Sequence, residues 1–216
     1  KKGSKHLFDE LNKILDEAFA GGKKIDDLPK TPVEERVLAK REARAEALER
    51  RKRRAGIKRL DAERKKRIKK FWKEGYDPDP TFSIWGSGKI SHPELWKMIM
   101  DDLTNKGCKI KHSSESIAYS PSVIKGEPGI LILTEESSIT ALKHEAKHFT
   151  DDYEKGFPGL YKLIEDPSKR WKMEYDAYME EIKFLREHKE YQTAEKLLEN
   201  ALKEKRRIEK DYNVKL

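Results

Sequence analysis

The chain has one cysteine in 216 residues. No intrachain disulfide can form, and a cysteine-rich zinc finger is excluded. No apolar run approaches the roughly 18 residues that a membrane span needs. The opening Lys1-Lys2-Gly3 leads into polar sequence and does not resemble a signal peptide. Hydrophobic residues make up 36% and charged residues 41%, so a core can be built along only part of the chain. The first residue is not Met, which leads us to expect a piece of a longer protein. There is no internal repeat.

Charge is present in excess and unevenly. Residues 1–70 hold 24 Lys and Arg against 13 Asp and Glu, a net of +11. The remaining 146 residues hold 24 against 27, a net of −3. A basic helical arm or linker over 1–70 joined to a globular domain over 71–216 is the expected organisation, the arm reading either as a binder of nucleic acid or another acidic surface or as a solvated linker. Within the arm, residues 7–20 read as a short amphipathic helix. Thr31-Pro32-Val33-Glu34 reads as a helix start, with Thr31 as N-cap and Glu34 as its box partner. Residues 36–70 are rich in strong helix formers, and Gly56 is expected to weaken or break that helix. No aromatic residue interleaves the basic run and no groove-reading motif appears.

From Phe71 onward aromatics, prolines and glycines arrive together. Ser91-His92-Pro93-Glu94 reads as a second helix start, with Ser91 capping and the helix running to Gly107. Three short strands are expected over 108–112, 116–119 and 129–134. Cys108 reads as a small buried residue. A helix capped by Ser137 or Ser138 should end at Gly156. Ile139, Leu142, Ala146, Phe149 and Tyr153 form its core face, with His144, His148, Asp151 and Asp152 on a neighbouring side. Asp166-Pro167 starts another helix reaching about Lys189. A last helix from about Thr193 to Asp211 carries Ala194, Leu197, Leu198, Ala201 and Ile208. The fold class is α+β: a small mixed β-sheet backed by helices, with a basic helical N-terminal arm.

His144-Glu145-Ala146-Lys147-His148 is an H-E-x-x-H motif. Two histidines four apart sit one helical turn above each other and can bind one zinc ion. Glu145, beside the first, is placed as general base toward a metal-activated water. A third protein ligand is needed. The downstream candidates are Glu165, Asp166, Glu174, Asp176, Glu180 and Glu181. We choose Glu174, because Ala177 on nearly the same face lets that helix pack closely on the histidine helix. Asp176 points half a turn away and reads as solvated. Asp152 falls on the His148 face, where it would either accept the other imidazole N–H or stand exposed. Tyr119, Tyr161, Tyr175 and Tyr178 are candidates for an oxyanion donor. His6, His92, His112 and His188 lack ligand spacing and read as structural.

His144-Glu145-x-x-His148, Asp151-Asp152-Tyr153 and Glu174-x-x-Ala177 together resemble the gluzincin branch of zinc metallopeptidases. The run from about 91 to 185 looks like the small zincin-like domains at the C-termini of bacterial polymorphic or Rhs toxins. The resemblance implies Zn2+ held by His144, His148 and Glu174, with Glu145 as general base. It implies a secreted or injected effector that hydrolyses a protein substrate in a target-cell cytoplasm, with a cognate immunity protein as partner. Lys147 departs from the pattern, since that motif position is usually uncharged. The helix must therefore expose that side.

The leading expectation is a zinc-dependent endopeptidase whose extended substrate lies along the edge of the small sheet, against 129–134. The alternative is a nucleic-acid-binding module, or one for another acidic surface, that uses the basic 36–70 segment.

Overall fold

The computed structural model describes residues 32–71, 77–113 and 117–216. The amphipathic segment at 7–20 and the Thr31 cap lie outside these. Elements run in the order α1 (Pro32–Phe71), α2 (Phe82–Trp85), α3 (Gly88–Ser91), α4 (Pro93–Asn105), β1 (Lys109–His112), β2 (Ala118–Ser120) and β3 (Ile130–Leu133). They are followed by α5 (Ile139–Glu154), α6 (Leu160–Ile164), α7 (Pro167–Glu187) and α8 (Tyr191–Tyr212). The fold is α+β, as expected. The sheet is mixed, in the order β1-β3-β2, with β1 parallel and β2 antiparallel to the central β3. That order corrects one expectation. β3 has both neighbours and offers no free edge, so an added strand could pair only at β1 or β2.

The chain divides into two compact units, and the second is Arg53–Leu216. In the first, residues 32–52 are helical and their described side chains are almost all exposed. In the second, residues 53–71 continue α1. Gly56 does not break the helix. A mid-helix glycine costs about 1 kcal/mol, and here its strong helix-forming neighbours carry the helix through. Further along, Arg64 is buried and pairs with Asp61 (3.0 Å) and Asp77 (2.8 Å).

One hydrophobic cluster lies between the sheet and the helices beside it. Leu131 and Leu133 alternate inward from β3 and meet Trp96, Leu103, Cys108, Ile139, Leu142 and Phe149. Burial pushes the Cys108 thiol up to about 11, as befits a packed and unreactive residue. A second cluster joins α7 to α8 through Tyr178, Ile182, Leu185, Ala194, Leu197 and Ala201. Two expected core residues sit outside. Leu198 is 41% exposed and Tyr153 is 43% exposed. Tyr153 lies in the last turn of α5, stacked on Phe149 with Lys106 over its ring.

Capping follows simple chemistry, with one exception. Ser138 caps α5 by accepting the Ala141 N–H (3.2 Å), and Asp166 caps α7 by accepting from Ser168 and Lys169. Ser91 does not cap α4. It is the last residue of α3 and its hydroxyl donates to Ser87 O (3.0 Å), while His92 takes the N-cap position without a side-chain bond. Pro93, whose missing N–H costs nothing in a first turn, is what starts the helix.

Several contacts fix the start of α5. The buried Asp79 accepts the Ser138 N–H at 2.8 Å, and Thr140 donates to Thr81 at 2.8 Å. Gly88 donates to Ser137 O at 2.8 Å. A Cβ at Gly88 would lie 2.6 Å from Ile139 N, so only glycine permits that approach. The helix bearing the motif is thus anchored at its N-terminus as well as along its sheet face.

Candidate metal centre

α5 is covered on two sides. Leu142 and Phe149 face the sheet core, and the neighbouring side faces α7. Ala177, fully buried, lies on the α7 face that carries Glu174 and Glu181, and its small size suits close packing of the two helices. This turns His144 and His148, one turn apart, toward Glu174 of α7.

The three chosen ligands meet. His144 Nε2 and His148 Nε2 are 3.1 Å apart, and each is 3.5 Å from Glu174 Oε2. Among the described residues this is the group of His, Cys, Asp and Glu side chains that can hold a metal ion. The distances test that statement. A tetrahedral metal with ligands at about 2.0–2.1 Å places neighbouring donors about 3.3 Å apart. The observed triangle brackets that spacing, with both histidines buried and Glu174 partly open.

Tautomer chemistry points the same way. His144 Nδ1 lies 2.8 Å from Glu181 Oε1. A carboxylate can only accept, so the Nδ1 proton is fixed there. In a neutral ring Nε2 then carries only its lone pair, aimed at the His148 Nε2 and the Glu174 oxygen. Three donor atoms converging in a buried space could hold a cation between them.

The electrostatics agree. Burial alone would raise the Glu174 carboxyl, but the hydrogen bonds and charge of the two imidazoles hold it well below the usual carboxylate range. Burial would lower His144, yet the Glu174 and Glu181 carboxylates hold it well above its ordinary value. A proton on His144 thus takes the place of the cation in the metal-free state.

Glu145 borders this group. Its Oε2 accepts the backbone N–H of Tyr119 in β2 at 2.6 Å. Burial pushes its carboxyl up, partly offset by the two histidines. Such a carboxyl can take a proton and release it again. Tyr119 is held in turn: its hydroxyl donates to Asp152 Oδ2 (2.5 Å) and accepts from Gly129 N (3.2 Å).

Two readings of the sequence change here. Asp152 does not serve His148. It is buried on the sheet side and bonded to Tyr119, while His148 Nδ1 has no hydrogen-bond partner among the described residues. The carboxylate that orients a ligand is Glu181, on His144. Glu181 lies seven residues after Glu174, two full turns on the same face, and that spacing was the available signal. Asp176 is solvated and paired with Lys172 (2.8 Å), as expected. Glu165 is exposed and paired with Lys162, and Asp166 is the α7 cap. Lys147 is partly exposed and pairs with Asp151, which accommodates its charge.

Of the four tyrosines, Tyr161 and Tyr175 are exposed and the Tyr119 hydroxyl is engaged elsewhere. Tyr178 is buried with its ring centroid 4.8 Å from that of His144. His92 and His188 pack with Trp85 and Phe184, away from the ligand set.

No protein-family model, no curated protein and no solved structure matches the chain. Among the described residues, no helix is long and apolar enough to cross a membrane.

Proposed function

We propose that the chain is a zinc-dependent endopeptidase. The observation that carries this reading is the triangle of two imidazole nitrogens and one carboxylate oxygen with Glu145 at its side. Three protein ligands from two helices leave coordination positions open, the pattern of catalytic and not structural zinc. Zinc held there supplies a Lewis acid for a carbonyl oxygen and makes water acidic enough to ionise near neutral pH.

The chain's own residues supply the rest. Glu145 takes the proton of the attacking water and delivers it to the leaving amine nitrogen as the C–N bond breaks. The Tyr119 amide occupies Oε2, which leaves Oε1 as the proton-carrying atom. Glu181 holds His144 in the tautomer that presents Nε2. β2 is the edge strand beside Glu145, so an extended protein substrate would lie along β2. The resemblance stated above extends this reading to an antibacterial effector with a cognate immunity protein.

The test is zinc content and proteolysis on the same preparations. About one zinc per chain is expected in wild type, lost in His148→Ala and weakened in Glu174→Gln. Glu145→Gln should keep its zinc and lose cleavage of fluorescein-labelled casein. A folded wild type that takes up no added zinc, or a Glu145→Gln variant that still cleaves, refutes the reading.

A further inference from the structure

The first unit shows a separation of charge that the composition does not reveal. α1 is a continuous helix, so residue positions convert directly into directions. At 3.6 residues per turn, Arg36, Lys40, Arg41, Arg44, Arg51 and Lys52 fall within an arc of about 160°. Glu35, Glu42, Glu46 and Glu49 fall within about 60° on the opposite side. The basic face extends about 24 Å along the axis from Arg36 to Lys52, at 1.5 Å per residue. All ten side chains are exposed.

The ion pairs respect this division. Arg50 pairs with Glu46 and Lys52 with Glu49, both along the border between the faces. Among the described residues, Arg36, Lys40, Arg41, Arg44 and Arg51 enter no ion pair. Among the described residues, five cations outside any ion pair therefore line one side of the helix.

We propose that this face binds the phosphate backbone of a nucleic-acid duplex. The opposite face argues against a membrane. A helix that lies in a bilayer interface buries an apolar face, whereas here the reverse side is acidic and would be repelled by anionic lipid. A protein partner is disfavoured by the lack of anchors. Interfaces draw their energy from buried aromatic and aliphatic groups, and among the described side chains this face presents Leu48 as its one large apolar group beside the arginines. Regular cations without apolar anchors suit a ligand that is itself a regular line of charge. Base reading is not part of the proposal, since phosphate contacts carry no sequence information.

The experiment uses the full chain and a fluorescein-labelled 20-base-pair DNA of arbitrary sequence, read by anisotropy from 50 to 200 mM NaCl. Five phosphate contacts predict a slope of log K against log salt of about −4, and loss of affinity by a few hundred-fold across that range. The variant R36Q/K40Q/R44Q/R51Q removes four contacts while keeping good helix formers. Its slope should fall by about 3 to 4. The variant K196Q/K203Q/R206Q/K210Q removes the same charge from exposed positions of α8 and should lose less than about threefold. Equal losses in the two variants would show attraction by net charge and overturn the proposal. So would absence of binding by wild type, or equally tight capture by vesicles of anionic phospholipid. A duplex RNA of the same length distinguishes the two sources of the backbone, and tenfold preference for either would assign it. None of these readouts depends on zinc or proteolysis.

Discussion

Replacing Glu181 tests whether the buried carboxylate serves the metal ligand or only fills space. It is 2% exposed, its Oε1 lies 2.8 Å from His144 Nδ1, and its Oε2 has no hydrogen-bond partner among the described residues. Glu181→Gln keeps volume and an acceptor oxygen but removes the charge. A hydrogen bond to a charged group contributes about 1.5–3 kcal/mol and a neutral one about 1. The difference of about 0.5–2 kcal/mol converts to about 2- to 30-fold in metal affinity. That overlaps the range of about 10- to 100-fold seen when such supporting residues are changed. The metal-free fold should respond differently. The Gln amide nitrogen takes the unpartnered Oε2 position and is left unsatisfied, while a buried charge is relieved, and these oppose each other. Glu181→Leu removes the acceptor and should weaken metal binding further. The assay is competition for zinc against a chromophoric chelator at fixed pH, beside thermal unfolding of the metal-free proteins. A dissociation constant within twofold of wild type in both variants, with the fold intact, would refute the positioning role. Failure of wild type itself to bind zinc would instead refute the metal centre.

Two further predictions concern the frame around the site. Arg64 is buried between Asp61 and Asp77, so a chain starting at residue 53 should match the full chain in urea unfolding. Arg64→Met in the full chain strands the buried Asp61 and the half-buried Asp77 and should lose about 3–5 kcal/mol; an unchanged midpoint would contradict this. Burial pushes the Asp79 carboxyl up to about 6, opposed by Arg64 and by the Ser138 hydrogen bonds. Between the ordinary value of 3.8 and about 6 the folded state keeps a proton that the unfolded chain has released. Stability therefore falls as pH rises through that window. Asp79→Asn lacks this dependence, so from pH 4 to 7 it should gain on wild type by up to about 3 kcal/mol; a difference flat with pH would contradict it.

What the sequence made legible was whatever local chemistry decides. The caps at Ser138 and Asp166 depend on residues three positions away. The alignment of His144 with His148 depends only on helical pitch. Ala177 could be read because a small residue near a candidate ligand has few other meanings. The misreadings share a different cause. Asp152 has the right phase to serve His148, but its partner Tyr119 comes from a strand 33 positions earlier. Glu181 has the right phase to join Glu174, but its partnership with His144 depends on how far α7 slides along α5. Periodicity gives the face of a helix and not the element that covers it. Tyr153 and Leu198 fail for different reasons: Tyr153 carries the apolar phase of α5 but lies in its last turn, whereas Leu198 lies about 40° outside the arc of buried residues on α8. Ser91 fails locally, because α3 claims its hydroxyl before α4 begins.

The ligand set contains its own argument for a cation. Glu145, Glu174 and Glu181 surround two imidazoles in largely buried space, and three carboxylates cannot stay ionised there without compensation. In the metal-free chain His144 provides it by holding a proton between two glutamates. That proton sits on a ring whose Nε2 is 3.1 Å from another imidazole nitrogen, so one charge is shared among donors that a dication would engage together. A dication held there would add more charge than the proton it displaced, and His144, His148 and Glu174 would hold it. The two histidines are not equivalent in this exchange. His144 is fixed from behind by Glu181, whereas the Nδ1 of His148 has no such support. Two of the three carboxylates, Glu174 and Glu181 two turns apart, therefore belong to α7, while α5 contributes the two nitrogens and Glu145.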